Sequence, residues 1–493
     1  MTQALHHLDP LNAVNPENLR AFISNCADVK MQSYKLGSSV DPAQVILLYC
    51  EGQVDGRQLN QFVLPKLEEM FTRLTASNEL DLNTLMPLQR ISHEQNVDEL
   101  MSALFSGQLI IYLVDGSDFY TLDIAAPPHR QPSESNTDVS LKGPKDGFTE
   151  EITTNIALIR KRIQSQSLSN ESFVIGRRSQ TKVALLYMKD IVNPDMLNEM
   201  RTRLKKIDMD FLLSTDQLEE ALGDSTYSLF PLLDYIGRPD YVVESLMNGR
   251  MCIIINGCPM VVLGPANLTY LLKSPEDIHF PYFFVFFERI LRLIGLFVAI
   301  FMPGFWVSVV SYNVDQIPFP LLATVANSRL GLPMPAPLEM CLLLLLFELF
   351  REAGARLPKA IGQTVAVVGG LIVGDATIRA GLSSPSTLVA AAVTAVCTFT
   401  LVNQSISGTV SIVRIVVLAL SSVFGLYGFF IALLAITLYL STLESFGVPY
   451  LSPISPPVFK DMIAALFKKT DKNKQRPEML NLQDQTRSGE ESS

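Results

Sequence analysis

One tryptophan, five histidines and six cysteines in 493 residues leave little of the chemistry on which metal and redox proteins are built. The histidines (His6, His7, His93, His129, His279) form no HExxH or other ligand cluster. The cysteines (Cys26, Cys50, Cys252, Cys258, Cys341, Cys397) show no CxxC spacing, which argues against a zinc module or a secreted disulfide scaffold and predicts reduced, buried thiols. No cofactor is expected. Charge is also sparse, at 18% of residues, and its balance of −10 argues against a nucleic-acid partner. Residues 1–15 have neither a basic start nor an apolar core, so no signal peptide is expected. Nearly all the continuous apolar sequence follows Phe280, and it accounts for the mean hydropathy of +0.26. The first 280 or so residues are therefore expected in the cytosol, with the first membrane crossing late in the chain.

The cytosolic half reads as one α/β unit built twice. Val45-Ile-Leu-Leu-Tyr49 and Val183-Ala-Leu-Leu-Tyr187 are near-identical buried-strand strings, 138 positions apart, each followed by an amphipathic run (Leu59–Phe71, Met196–Ile207). Gly107–Gly116 turns at Asp115-Gly116 into Asp118–Ile124, and Gly249–Gly257 turns at Asn256-Gly257 into Pro259–Leu263. Asp-Gly and Asn-Gly between apolar runs signal hairpins, because both turn positions need positive φ. Two features in one order at nearly one offset predict a duplication. The expected parts are a first α/β subdomain over 1–125, a linker over 126–147 and a second subdomain over 148–280. A transmembrane helical domain of four to six spans follows over 281–455, then a basic cytosolic tail over 456–493.

No catalytic constellation accompanies this half. Gly176-Arg177-Arg178-Ser-Gln-Thr181-Lys182 lacks the order of a phosphate loop. Arg160-Lys161-Arg162 at the end of a helical run reads as a solvated helix terminus.

In the membrane half, the aromatics of Phe280–Phe287 beside Arg289 and Arg292 mark the headgroup layer. A first span over about Leu291–Ser311 is expected to kink at Pro303-Gly304. Leu338–Phe350 is short for a crossing, whereas Ala360–Gly381 and Thr387–Val402 are long enough. Val410–Phe446 is too long for one span and is read as two, broken near Gly425 and Gly428. Six crossings place both the corner Arg351–Lys359 and the lysine-rich tail inside, as the positive-inside rule asks; four crossings with re-entrant pieces is the alternative.

Charges within these apolar runs are the candidate functional residues, because ionisable groups in lipid face a bundle interior or a wet path. Over 361–381, Gly362, Ala366, Gly370 and Gly374 recur every fourth residue, a stripe that lets another helix approach closely. The opposite side carries Thr364, Val368, Ile372 and Asp375, with Arg379 four residues beyond. One reading makes that side pore-lining, with Val368 and Ile372 an apolar constriction and Asp375 a cation-favouring ring. The other makes Asp375 and Arg379 an interfacial pair beside residues that only pack. Glu348 and Glu352 either bind a cation or brace the charged corner by pairing with Arg351 or Arg356; Glu339 is expected near the interface and Arg414 to snorkel.

Several ordered strings carry a family resemblance. They are Gly143-Pro144-Lys-Asp-Gly147-Phe148, Asn155-Ile-Ala-Leu-Ile-Arg160, Phe230-Pro231, Arg238-Pro239-Asp240, Asn248-Gly249-Arg250, Glu348–Pro358 (ELFREAGARLP), Gly447-Val-Pro449-Tyr450-Leu451 and Arg476-Pro477. Along most of its length the chain resembles the A subunits of GerA-type spore germinant receptors. Asp375 with Thr377-Ile378 departs from the usual Gln-Ala-Ala-Val string, and Asp-bearing versions occur in the related SpoVAF-like accessory branch. The resemblance implies the inner membrane of a bacterial endospore, with the large domain facing the core. It further implies a ring, pentameric in the family, around a conduit for monovalent cations, with a transporter-like B subunit that senses a nutrient and a lipoprotein C subunit. From other classes, a secondary transporter and a non-conducting scaffold remain to be distinguished. The transporter lacks matching broken helices in two halves.

Overall fold

The computed structural model describes residues 20, 23, 26–37, 43–74, 86–91, 97–114, 118–126, 140–224, 228–356, 374–467 and 476–484. They fall into two units: an α/β unit (Met1–Thr226, Leu233–Pro265, Asp471–Ser493) and a helical unit (Tyr227–Leu232, Ala266–Thr470).

The α/β unit contains two five-stranded antiparallel sheets of one topology. The first comprises β1 (Val29–Leu36), β2 (Ala43–Cys50), β3 (Gln89–Ile91), β4 (Gln108–Leu113) and β5 (Asp118–Asp123), in the order β1-β2-β4-β5-β3. The second comprises β6 (Leu168–Ile175), β7 (Thr181–Met188), β8 (Asp234–Ile236), β9 (Met251–Ile255) and β10 (Val261–Gly264), in the order β6-β7-β9-β10-β8. Strand for strand the second repeats the first, which is the duplication expected from the two VxLLY strings. β2 is apolar on successive residues because both its faces are covered. Val45 and Leu47 join the core beneath α1 (Leu64–Leu74), while Ile46 and Leu48 join the one beneath α2 (Val97–Phe105). The Asp115-Gly116 turn lies outside the described residues, although the strands it joins pair antiparallel. At the other hairpin Gly257 takes φ +91, but Asn256 does not share the positive φ expected of it, because the strands are joined by the longer loop 256–260 rather than by a two-residue turn.

The two lobes meet at a buried polar node. α3 (Ile152–Arg160) ends on Arg160, which is fully buried rather than solvated as the sequence led us to expect. Its Nε and Nη2 donate to Asp28 Oδ2 at 3.2 and 3.0 Å, and Nη1 donates to Ser165 O at 3.0 Å. The guanidinium lies 4.1 Å over the Phe105 ring. Asn170 Nδ2 adds a bond to Asp28 Oδ1, and Gln53 Nε2 donates across the lobes to Ala157 O at 2.7 Å. Burial, and then Asp28, push the nearby Cys50 thiol well above its ordinary value, so it is an inert thiol as read from sequence.

The second lobe also includes α4 (Pro194–Lys206), α5 (Thr215–Leu222) and α6 (Pro239–Met247). The end of the chain returns to this lobe: Arg476 Nε donates to Met247 O at 3.0 Å, and Asn193 Nδ2 donates to Leu480 O. Gly249, at φ +84, has no Cβ because Leu482 occupies that space. Two strings that carry the family resemblance, Asn248-Gly249-Arg250 and Arg476-Pro477, thus meet in space.

The helical unit comprises α7 (Tyr282–Ser311), α8 (Phe319–Arg329), α9 (Ala336–Arg356), α10 (Pro385–Phe399), α11 (Gln404–Thr442) and α12 (Phe459–Leu466). Among the described residues, α7 and α11 are long and apolar enough to cross a membrane. α7 begins about two and a half turns before the expected Leu291, because the aromatic run at its foot is already helical. α9, read from sequence as a short run ending at Phe350, continues through the charged corner to Arg356 for 21 residues. α10 has 15 residues, about 22 Å, shorter than the expected span over Thr387–Val402.

α11 is a hairpin. Gly425 leaves helical geometry at φ 61, ψ −141, and Tyr312 fills the place a Cβ would take. Leu229 accepts from Thr409 Oγ1 at 2.6 Å and donates to the Tyr439 hydroxyl at 2.9 Å, so residues 30 positions apart converge on one partner. The arms 404–424 and 426–442 are about 30 and 25 Å long. The first arm approaches α7 at small residues: Thr400, just before it, sits where a Cβ on Gly295 would project, and Val417 and Ser421 come to 2.7 Å from the Cβ position of Gly304. Gly304→Val is therefore expected to destabilise the helical unit by about 1–3 kcal/mol through overpacking, read as a lower Tm of the purified protein. Phe230 rests against Tyr450 at 5.9 Å between ring centres, joining two more strings of the resemblance.

Candidate functional site

α9 places Glu339 and Glu348 two and a half turns apart, about 13 Å along its axis, and each enters a polar cluster between helices. Glu339 is fully buried within the helical unit. Its Oε1 accepts from Ser384 Oγ at 2.7 Å, Ser383 Oγ at 3.0 Å and the Ser384 N–H. Ser384 is the N-cap of α10, so a carboxylate stands at the positive end of that helix. Ser384 Oγ in turn lies 2.9 Å from Thr387 Oγ1, which accepts from Trp306 Nε1 at 3.3 Å and so ties α7 into the cluster.

At the second cluster, Glu348 Oε1 accepts from Arg414 Nη2 and from Ser411 Oγ, each at 2.5 Å, while Oε2 pairs with Arg351 Nη2 at 2.6 Å. Arg351 Nη1 donates to Ser407 Oγ at 3.0 Å, and Arg414 Nη1 donates to Thr398 Oγ1 at 3.1 Å. Ser407, Ser411 and Arg414 line one face of the first α11 arm at helical spacing. Arg414, expected to snorkel, is 3% exposed and spent on this network, with Glu348 as its counter-charge. Glu352 is exposed one turn beyond Glu348, and the side chain of Arg356, the last residue of α9, lies outside the described residues. The arrangement sets fixed charges of both signs inside an apolar bundle. Among the described residues no group of His, Cys, Asp and Glu could hold a metal ion.

Of the predicted pore side, Thr364, Val368 and Ile372 lie outside the described residues, as do Gly362, Ala366 and Gly370 of the small stripe. Asp375 and Arg379 are on a short helical stretch over 374–379 and pair at 2.8 Å, with side chains 57% and 79% exposed. Gly374 faces Leu388, 3.4 Å from where a Cβ would stand. Among the described residues, tight approaches between helices are at Gly295 and Gly304. The small residue Ala299, four after Gly295, was the signal that could have drawn attention to this face. Cys341 is exposed on the apolar surface of α9, unlike the buried thiol expected.

The foot of α7 holds an ion cluster that sequence reasoning missed. Asp277, in the turn before the helix, accepts from Arg292 Nη2 at 2.6 Å and Arg289 Nε at 2.8 Å. Burial raises the Asp277 carboxyl, but the Arg292 and Arg289 guanidinium groups outweigh it and hold it below its ordinary value. A depressed folded pKa stabilises above the ordinary carboxylate range, and that stability is lost as pH falls through the folded value. The Tm gap between wild type and Asp277→Asn is therefore expected to narrow as pH drops from about 5 to about 3, measured on the purified protein.

A family model described as Bacillus/Clostridium GerA spore germination protein matches residues 17–479. Spore germination protein XA of Bacillus anthracis is 42% identical over 477 residues, covering 96% of this chain and 97% of that protein. Spore germination protein KA of Bacillus subtilis (strain 168) is 30% identical over 486 residues, covering 98% and 89%. Among solved structures, the N-terminal domain of the A subunit of the Bacillus megaterium spore germinant receptor GerK3 is 28% identical, covers 54% of this chain and 98% of that domain, and aligns with a TM-score of 0.39. Matched along nearly its whole length, the chain belongs to the GerA family of Bacillus/Clostridium spore germination proteins.

Proposed function

We propose that this protein is the membrane subunit of a nutrient germinant receptor of the spore inner membrane, and that copies of it surround a conduit that releases monovalent cations when a germinant binds. The observation that carries the receptor reading is the match over residues 17–479, with full-length relatives that are themselves named spore germination proteins. A transporter-like B subunit and a lipoprotein C subunit are its partners in this reading, and the copies number five. The side carrying Thr364, Val368, Ile372, Asp375 and Arg379 lines the conduit, with Val368 and Ile372 as its constriction and Asp375, exposed in the single chain, at one mouth. Charge held between α9, α10 and α11 by Glu348 and Arg414 supports it, because such pairs within apolar helices mark or brace ion paths. The reading is non-enzymatic.

Spores carrying Asp375→Asn test it. Cation release on exposure to germinant is expected to slow several-fold, whereas Ile372→Ala, which widens the constriction, is expected to leak before germinant is added. Unchanged release kinetics in both variants would place the conduit elsewhere. Asp375 also favours a second reading, an accessory ion-release subunit of the SpoVAF type; cation release that persists in spores lacking this protein, but more slowly, would select it.

A further inference from the structure

We propose that α12 lies in the membrane–water interface and binds phospholipid through Phe459 and Ile463, so that the chain just past residue 456 is an in-plane anchor rather than the start of a free tail. α12 is fastened to the foot of α7. The Phe467 ring stacks on Phe286 at 4.2 Å and on Tyr282 at 5.3 Å. Arg289 Nη1 donates to Ala465 O and Phe467 O, both at 3.0 Å, placing a cation at the negative end of the helix dipole. Met462 and Leu466 turn inward and line an apolar cavity of about 180 Å³ shared with Leu272 and Leu293.

The opposite face is left bare. Phe459 and Ile463, one turn apart, are 75% and 60% exposed, an apolar face left without a partner among the described residues. What covers them follows from what lies beside them. Phe283 and Phe287 flank the stacked Phe286 and are 79% and 59% exposed, at the start of the helix long and apolar enough to cross the membrane. The bare face of α12 therefore continues the lipid-facing surface of α7, at the level where amphipathic helices and aromatic side chains settle into a leaflet. The sequence that follows is basic (Lys468, Lys469, Lys472, Lys474), the sign that anionic headgroups attract.

The test uses the full chain, with Cys341 and Cys397 replaced by serine, reconstituted in vesicles of phosphatidylethanolamine and phosphatidylglycerol. A polarity-sensitive fluorophore is attached to Phe459→Cys or Ile463→Cys, and Phe297→Cys on α7 reports the bilayer interior. Blue-shifted emission at 459 and 463, quenched by lipids brominated near the headgroup and spared by aqueous iodide, is the expected result. Quenching by iodide alone, or by neither reagent, would overturn the proposal by placing the face in water or under protein. If Phe297→Cys escapes lipids brominated near the ends of the acyl chains, the crossing of α7 fails and this proposal fails with it; if only that control is quenched, α7 crosses and the anchor is refuted.

Discussion

Glu348→Ala is expected to destabilise the helical unit by about 3–5 kcal/mol, enough to remove most folded protein from detergent extracts. The loss comes less from the missing bonds than from what they leave behind. Arg414 is 3% exposed, its Nη2 bond to Glu348 is the ion pair that offsets its burial, and Ser411 and Thr398 supply dipoles but no counter-charge. Removing both charges together, as Glu348→Leu with Arg414→Met, is expected to recover much of the loss, because a well-packed apolar pair replaces an ion pair with little net change. Melting temperatures of the single and double variants make this a cycle whose interaction energy is the measured quantity. If the single variant melts with the wild type, the cluster is not a structural brace.

The second large effect is in the α/β unit. Arg160→Met leaves the Asp28 carboxylate buried with Asn170 but no cation, and a loss of about 3–5 kcal/mol is again expected. Asp28 lies just before β1 in the first lobe and Arg160 ends α3 in the second, so the effect should appear as uncoupling of the lobes: a broadened or split melting transition where wild type shows one. Met keeps the apolar stem but removes the guanidinium, and with the charge go its place over Phe105 and its bond to Ser165 O. Arg160→Lys keeps the charge but loses the fork that grips both sides of the carboxylate and is expected to fall between the two.

Sequence alone revealed those elements whose signals are local. The apolar runs at Val45 and Val183, the Asn-Gly hairpin, the long run after Phe280 and the glycine interrupting Val410–Phe446 each announce themselves within a few residues. The partners of the buried charges do not. Arg160 meets Asp28 across 132 positions, Arg414 meets Glu348 across 66, and Ser384 meets Glu339 across 45. Local pattern therefore assigned Arg160 to solvent and Arg414 to headgroups, the places where an isolated charge would rest. The same limit shortened α9 on paper: Arg351, Glu352 and Arg356 resemble a polar corner until Glu348 and Ser407 are seen to receive Arg351. Short strings such as ELFREAGARLP carried the family resemblance although their contacts were invisible.

Current through a planar bilayer containing the purified protein, with and without the proposed B and C subunits, tests the central claim most directly. Discrete openings that pass potassium in preference to chloride, that appear with the germinant and the B subunit, and whose conductance falls in Asp375→Asn are the result this account predicts. A complex that binds germinant and carries no current in any combination of subunits would contradict it, leaving the charged helices as scaffold.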